Sequence, residues 1–221
     1  MSLRVKAVLF DLDGTLIDSA PDLAGTGNDM RAARGLEPLP FEQFRPMVGS
    51  GARGMIGIAL GVAPTNSGFI ELRDEFFDRY EQRMTQHTRA FDAVPAMLDA
   101  IEGLGLRWGI VTNKAQRFTN PLVKALGLDV RAGAVVSGDS TPHSKPHPAP
   151  LLEAARQMGV AAEDCVYVGD DLRDVQAGQA AGMATVAAAW GYLGVGEPVD
   201  AWGAQHVVHA PNELLKLLGM A

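Results

Sequence analysis

Cysteine is nearly absent. Cys165 is the single one in 221 residues, so no internal disulfide can form, and the chain fits a reducing compartment. Basic residues are outnumbered, 19 Lys and Arg against 26 Asp and Glu, which leaves a formal net charge of −7. A general nucleic-acid binder would carry a basic stripe, so that class is set aside; a local basic cluster around a phosphate is still compatible with an acidic chain. Long apolar runs are missing too. The opening residues Met1-Ser2-Leu3-Arg4 show no apolar signal core, and the uncharged stretch from Met183 to Gly196 is short, rich in alanine and glycine, and too weak for a membrane span. We therefore expect a cytoplasmic protein with neither a membrane nor a nucleic acid as partner. Internal repeats and low-complexity tracts are also lacking. What remains is a globular composition, 47% apolar and 20% charged, in a chain long enough for one generous domain or a core with a smaller lobe.

The stretch that organises the chain is Val8-Leu9-Phe10-Asp11-Leu12-Asp13-Gly14-Thr15-Leu16. An apolar run of buried-strand character ends in two carboxylates one residue apart. Strand alternation sends Asp11 and Asp13 to the same side, where like charges repel unless a cation or a raised pKa offsets them. Gly14 lets the backbone turn away with positive φ. Pro21 then opens a helix towards Arg34, with Asp18 or Ser19 as its cap and Gly35 as its stop. Val48 to Gly54 reads as a loop, and Phe69, Leu72, Phe76, Tyr80 and Met84 fall at helical spacing, as residues packing within this region. From about Ile17 to His87 no strand pattern occurs, so this part reads as a helical insertion.

From Phe91 onward strands and helices alternate. Strands are expected at Trp108–Val111, Ala134–Val136, Cys165–Val168, Ala184–Ala187 and His206–Val208, with helices between them stopped by Gly127, Gly159 and Gly182. This order implies an α/β fold, a doubly wound parallel sheet with helices on both faces. Ligands of such sheets bind outside the carboxyl ends of the strands. Asp11 and Asp13, Thr112 and Asn113, and Asp170 and Asp171 each end a strand, and Lys145 lies in a loop that follows another. Converging carboxylates without a Cys or His cluster suit Mg2+. A lysine with hydroxyl and amide donors suits the oxygens of a transferring phosphoryl group, and a carboxylate can serve as covalent nucleophile. Thr112 also suits a helix cap, and Asp174 a helix first turn, where the dipole favours an acid in any case.

Asp11-Leu12-Asp13-Gly14-Thr15, Thr112-Asn113, Lys145 and Gly169-Asp170-Asp171-Leu172-Arg173-Asp174 resemble, in order, the motifs of the haloacid dehalogenase superfamily. The resemblance implies a Rossmann-like core over 1–17 and 89–221 and a small helical cap over 18–88. It implies that Asp11 is the nucleophile and a Mg2+ ligand. Asp13 would be the general acid/base, its main-chain carbonyl completing the metal shell. Thr112, Asn113 and Lys145 would bind the phosphate, and Asp170 would be the third metal ligand. Asp174, and Asp171 through water, would support the metal from behind. Carbon–halogen hydrolases of the superfamily lack an acid at the position of Asp13, because a halide leaves without a proton, whereas an alkoxide leaving group needs one. Within the superfamily, Asp18-Ser19-Ala20-Pro21-Asp22-Leu23 and Lys145-Pro146-His147-Pro148 resemble the phosphoglycolate phosphatase group. Ser50-Gly51-Ala52-Arg53 and Trp108-Gly109-Ile110-Val111-Thr112-Asn113-Lys114 resemble the N-acetylmuramic acid 6-phosphate phosphatase group. The implied activity is a Mg2+-dependent phosphatase of a small phosphorylated metabolite, with Arg53 as a substrate contact from the cap. A phosphosugar mutase and a non-catalytic phospho-ligand binder are the alternatives. The sequence does not fix the oligomeric state.

Overall fold

The computed structural model describes residue 3 and residues 5–220. In chain order the elements are β1 (Ala7–Phe10), β2 (Ile17–Asp18), α1 (Ala20–Ala32), α2 (Phe41–Phe44), α3 (Gly51–Leu60), α4 (Phe69–Arg83), β3 (Arg89–Ala90), α5 (Val94–Gly103), β4 (Arg107–Val111), α6 (Gln116–Ala125), β5 (Val135–Val136), α7 (Ala149–Met158), β6 (Cys165–Gly169), α8 (Leu172–Ala180), β7 (Ala184–Ala188), β8 (His206–Val208) and α9 (Pro211–Leu217).

Six strands form one parallel sheet in the order β5-β4-β1-β6-β7-β8. Each strand is apolar almost throughout because both faces are covered. Alternate residues feed two separate cores. Val8, Phe10, Ile110, Val166 and Val168 pack on one side; Ala7, Leu9, Val111, Cys165 and Tyr167 pack on the other. The helices that follow the strands stop where the sequence places glycine: Gly127, Gly159 and Gly182 all adopt positive φ.

β1 lies between β4 and β6, and connections leave it in both directions, so the strand order reverses there. Register fixes the consequence. Phe10 pairs with Ile110 on one side and Val168 on the other. The residues that follow β1, β4 and β6 therefore emerge at one edge, in the crevice where such sheets bind ligands.

The segment between β1 and α5 is mainly helical, as its spacing predicts. α1 packs on α3 and α4, and α3 packs on α4. Two points differ from the sequence reading. First, β2 pairs antiparallel with β3, Ile17 opposite Ala90 and Asp18 opposite Arg89, so a strand does occur at the start of the segment. Two residues carry no alternation pattern, which is why the sequence does not announce it. Second, Gly51–Gly54 is the first turn of α3, not a loop. Gly54 is there because the helix approaches its neighbour closely: a Cβ on it would lie 2.6 Å from the Met47 carbonyl. Among the described residues no helix is long and apolar enough to cross a membrane.

Candidate active site

Asp11 emerges from β1 with its N–H still on the ladder, donating to Val168 O at 2.9 Å. The chain then turns at Gly14, φ +87°. Glycine is required there twice over: the backbone is left-handed, and a Cβ would lie 2.1 Å from Asp170 Oδ2. That close approach seats Asp170, which is 4% exposed. Its carboxylate accepts from Thr15 Oγ1 at 3.0 Å and from the Tyr192 N–H at 2.8 Å.

Lys145 enters the cluster from the loop after β5. Its Nζ lies 2.9 Å from Asp11 Oδ1 and 2.7 Å from Asp174 Oδ1. It also donates to Val111 O at 3.1 Å and to the Tyr167 hydroxyl at 2.9 Å. The Asn113 side chain fixes the lysine's backbone. Its amide donates to Lys145 O, and its Oδ1 accepts from the Lys145 N–H, each at 2.9 Å. Asn113 is thus brought to the site as expected, but its side chain is committed to Lys145. Thr112 does not cap α6, whose N-cap is Ala115; its Oγ1 accepts from the Lys114 N–H two residues on, at 3.1 Å, inside the turn that follows β4.

At the start of α8, Asp171 and Asp174 form a reciprocal capping box. One Asp174 oxygen is held by the Asp171 N–H at 3.0 Å, while the other faces Lys145. Carboxylate oxygens of Asp11, Asp170 and Asp174 all lie within 4.8 Å of one another. Burial, then the charges of Asp11 and Asp174, push the Asp170 carboxyl well above the usual range. Burial raises Asp174 to about 7 against the opposing pull of Lys145. Asp11 Oδ1 is buried and, although paired in charge with Lys145, has no aligned hydrogen-bond donor among the described residues. Two carboxyls, Asp170 and Asp174, that burial holds against ionisation, gathered with an Asp11 oxygen that lacks a donor, make an all-oxygen set that fits a hard divalent cation.

Asp13 is not in that cluster. Its carboxylate turns to Lys114, whose Nζ is 3.0 Å from Oδ1 and 3.1 Å from Oδ2, and accepts from Ser19 Oγ at 2.5 Å. The repulsion expected between Asp11 and Asp13 is therefore relieved by two different lysines. Lys114 had no role in the sequence reading, although it lies in a quoted motif. Burial works against its ammonium, but the Asp13 carboxylate and Tyr80 outweigh burial and hold its pKa above the usual lysine range. Its Nζ sits 4.9 Å from the Tyr80 ring centroid.

These groups open into a cavity of about 300 Å³. Its floor is the strand-end cluster; its wall comes from Leu23, Val48, Phe76 and Tyr80 of the helical segment and Phe118 of α6. Phe76 and Tyr80 thus face the cavity as well as packing among the helices. Arg53, expected as a substrate contact, is exposed and lines a neighbouring depression with Leu193 and Trp202. Arg173 is the arginine that lines the main cavity. It holds both Asp171 oxygens, at 2.8 and 2.7 Å, and donates to Gly49 O at 2.6 Å, joining α8 to the helical segment.

The haloacid dehalogenase-like hydrolase family model matches residues 8–188, and the chain belongs to this family. It is 42% identical over 219 residues to the N-acetylmuramic acid 6-phosphate phosphatase of Pseudomonas aeruginosa, covering 99% of this chain and 97% of that one. It is 46% identical over 211 residues to a phosphoglycolate phosphatase of Xanthomonas campestris pv. campestris, covering 95% and 94%. Among solved structures, that of a predicted phosphoglycolate phosphatase from Haemophilus somnus 129pt superposes with a TM-score of 0.84 at 27% identity, over 97% of this chain and 98% of that one.

Proposed function

We propose that this protein is a Mg2+-dependent phosphatase that hydrolyses a small phosphate monoester through an aspartyl-phosphate on Asp11. The observation that carries the reading is the pairing of Asp11 with Lys145, 2.9 Å apart, inside a buried acidic cluster at the sheet's switch point. Asp11, Asp170 and the Asp13 main-chain carbonyl would hold the ion, with Asp174 supporting it. When bound, Mg2+ supplies positive charge to the phosphoryl oxygens.

Asp11 attacks phosphorus, forming the O–P bond as the ester O–P bond breaks. Asp13 gives its proton to the leaving alkoxide, then takes one from the water that displaces phosphate from Asp11. Lys145 and the Thr112–Asn113 strand end bind the phosphoryl oxygens. Residues 1–17 and 89–221 act as the catalytic core, and 18–88 as a cap that shields the reaction from water and meets the alcohol part of the substrate. The names of the relatives make 2-phosphoglycolate and N-acetylmuramic acid 6-phosphate the candidate substrates. A cytoplasmic enzyme acting on a soluble metabolite fits the single cysteine and the acidic balance.

Steady-state hydrolysis of p-nitrophenyl phosphate with Mg2+ tests the reading. Asp11→Asn should lower kcat on the order of 10³-fold or more. Wild-type turnover in the variant would overturn the nucleophile assignment.

A further inference from the structure

Two ammonium groups reach the cavity and their settings separate their tasks. Lys145 is spent on Asp11, Asp174 and the backbone of β4. Lys114 touches none of these. It bridges both oxygens of Asp13 from a position only 9% exposed, against the face of Tyr80. On the phosphatase reading Asp13 must stand beside the ester oxygen to serve the leaving alcohol. An ammonium 3.0 Å from that carboxylate therefore lies within ion-pair reach of a group on the alcohol's first carbons.

Around it the wall is apolar, so little else competes for an anion there. Arg173 is already bound through both Asp171 oxygens and the Gly49 carbonyl. The Tyr80 hydroxyl is buried in the same wall and has no hydrogen-bond partner among the described residues. A buried hydroxyl left unpaired costs stability unless something else meets it. A charge-assisted contact made in so dry a place is stronger than one on the surface.

We infer that Lys114 is the specificity-determining residue of this site, and that it selects phosphate esters whose alcohol carries a carboxylate. In the free site Asp13 holds the ammonium in place; in the complex the substrate carboxylate shares it. The inference rests on the phosphatase reading above and names the residue that would select among its candidate substrates, by a carboxylate on the alcohol's first carbons.

Matched pairs of esters test it. 2-Phosphoglycolate, whose carboxylate is on the ester carbon, is compared with 2-hydroxyethyl phosphate; N-acetylmuramic acid 6-phosphate and N-acetylglucosamine 6-phosphate, which differ in a lactyl carboxylate across the sugar ring and beyond that reach, are the control pair. Wild-type kcat/KM should favour the carboxylated member of the first pair. Lys114→Met should reduce that ratio about ten- to a hundredfold, the worth of one charged hydrogen bond. Lys114→Gln, which keeps a donor for Asp13 without the charge, serves if the methionine variant does not fold and should lose the ratio likewise. Lys114→Arg, which keeps the charge, should retain part of it. A lysine that merely orients Asp13 would slow both members of a pair equally, and that result overturns the inference. A wild-type enzyme with no preference in the first pair overturns it as well. Phosphate release by the wild type from any of the four esters secures the phosphatase reading independently; release from none removes that reading and this inference with it.

Discussion

The two sides of the cavity neutralise their aspartates by different architectures. On the floor, Lys145 is held by two carboxylates, a strand-end carbonyl and a tyrosine hydroxyl, while Asn113 clamps its backbone. Nearly every partner hangs from the end of β1, β4 or β6 or from the first turn of α8, so register alone brings them together. On the wall, Lys114 meets Asp13 across a loop, with an aromatic ring of the inserted segment behind it. Its position depends on how α4 packs over the sheet edge. The floor is thus built for fixed charge, as phosphoryl transfer requires. The wall is built so that a substitution in the insertion can change the selected alcohol without disturbing the floor.

The sharpest way to break this contrast is to remove the floor's cation. Lys145→Met leaves the buried Asp11 and Asp174 charges uncompensated, and a broken buried pair costs about 3–5 kcal/mol. The variant should melt well below the wild type in a thermal scan, and added Mg2+ should recover much of the loss. A melting temperature close to the wild type without Mg2+ would mean that Lys145 does not carry the charge balance of the floor.

Next in size is the response to the metal itself. In the metal-free protein Asp174 titrates near 7, against an ordinary 3.8. The folded form therefore keeps a proton that the unfolded chain releases. Stability from this group is complete below about 4 and is lost as pH rises through about 7. A divalent cation competes with that proton, so its stabilisation must grow with pH. At a hundredfold excess over Kd, Mg2+ should add about 2.7 kcal/mol near pH 8 and markedly less near pH 5. An equal shift in melting temperature at the two pH values would place the ion elsewhere.

Tyr192 joins the two regions and gives a smaller effect. Its N–H donates to Asp170, while its hydroxyl accepts from the N–H groups of Ser19 and Ala20 and donates to Asp18 at the start of the helical segment. Tyr192→Phe leaves the buried Ser19 N–H without that acceptor, while the Ala20 N–H keeps Asp18 Oδ1 at 3.2 Å; the loss should cost about 1–3 kcal/mol in denaturant unfolding. The Asp170 contact is made by the backbone and survives the substitution, so Mg2+ affinity should change less than stability does. A weakened metal site with unchanged stability would reverse this division.

The floor was legible in the sequence because a parallel sheet delivers the residues after its strands to one edge whatever the loops do. Asp11, Thr112 and Asp170 could each be placed there from strand endings alone; Lys145, in a loop, and Asp174, in a helix's first turn, needed the motif resemblance as well. The wall was not legible. Lys114 meets Asp13 across a separation of 101 residues, and Arg173 meets Gly49 across 124, contacts that no spacing pattern encodes. β2 was missed because two residues cannot show alternation, and the first turn of α3 because its glycines argue locally for a loop while packing against Met47 makes it a helix.

Arg53 offers the finest test of the contrast, through an effect that should be small. The resemblance to the phosphatase groups favours it because their cap loops often reach the substrate, and Arg53 reads as lying in such a loop. The helix begins at Gly51, however, and carries the Arg53 side chain around to the neighbouring depression. The same turn sends Ala52 towards the cavity. Exposed substitutions away from a site usually change little. Arg53→Ala should therefore alter kcat/KM for the preferred ester and for p-nitrophenyl phosphate by less than about twofold each. A selective loss on the preferred ester would mean that α3 rotates or the cap closes further when substrate binds. In that case the wall would include the second depression, and its selectivity would be shared between Lys114 and Arg53.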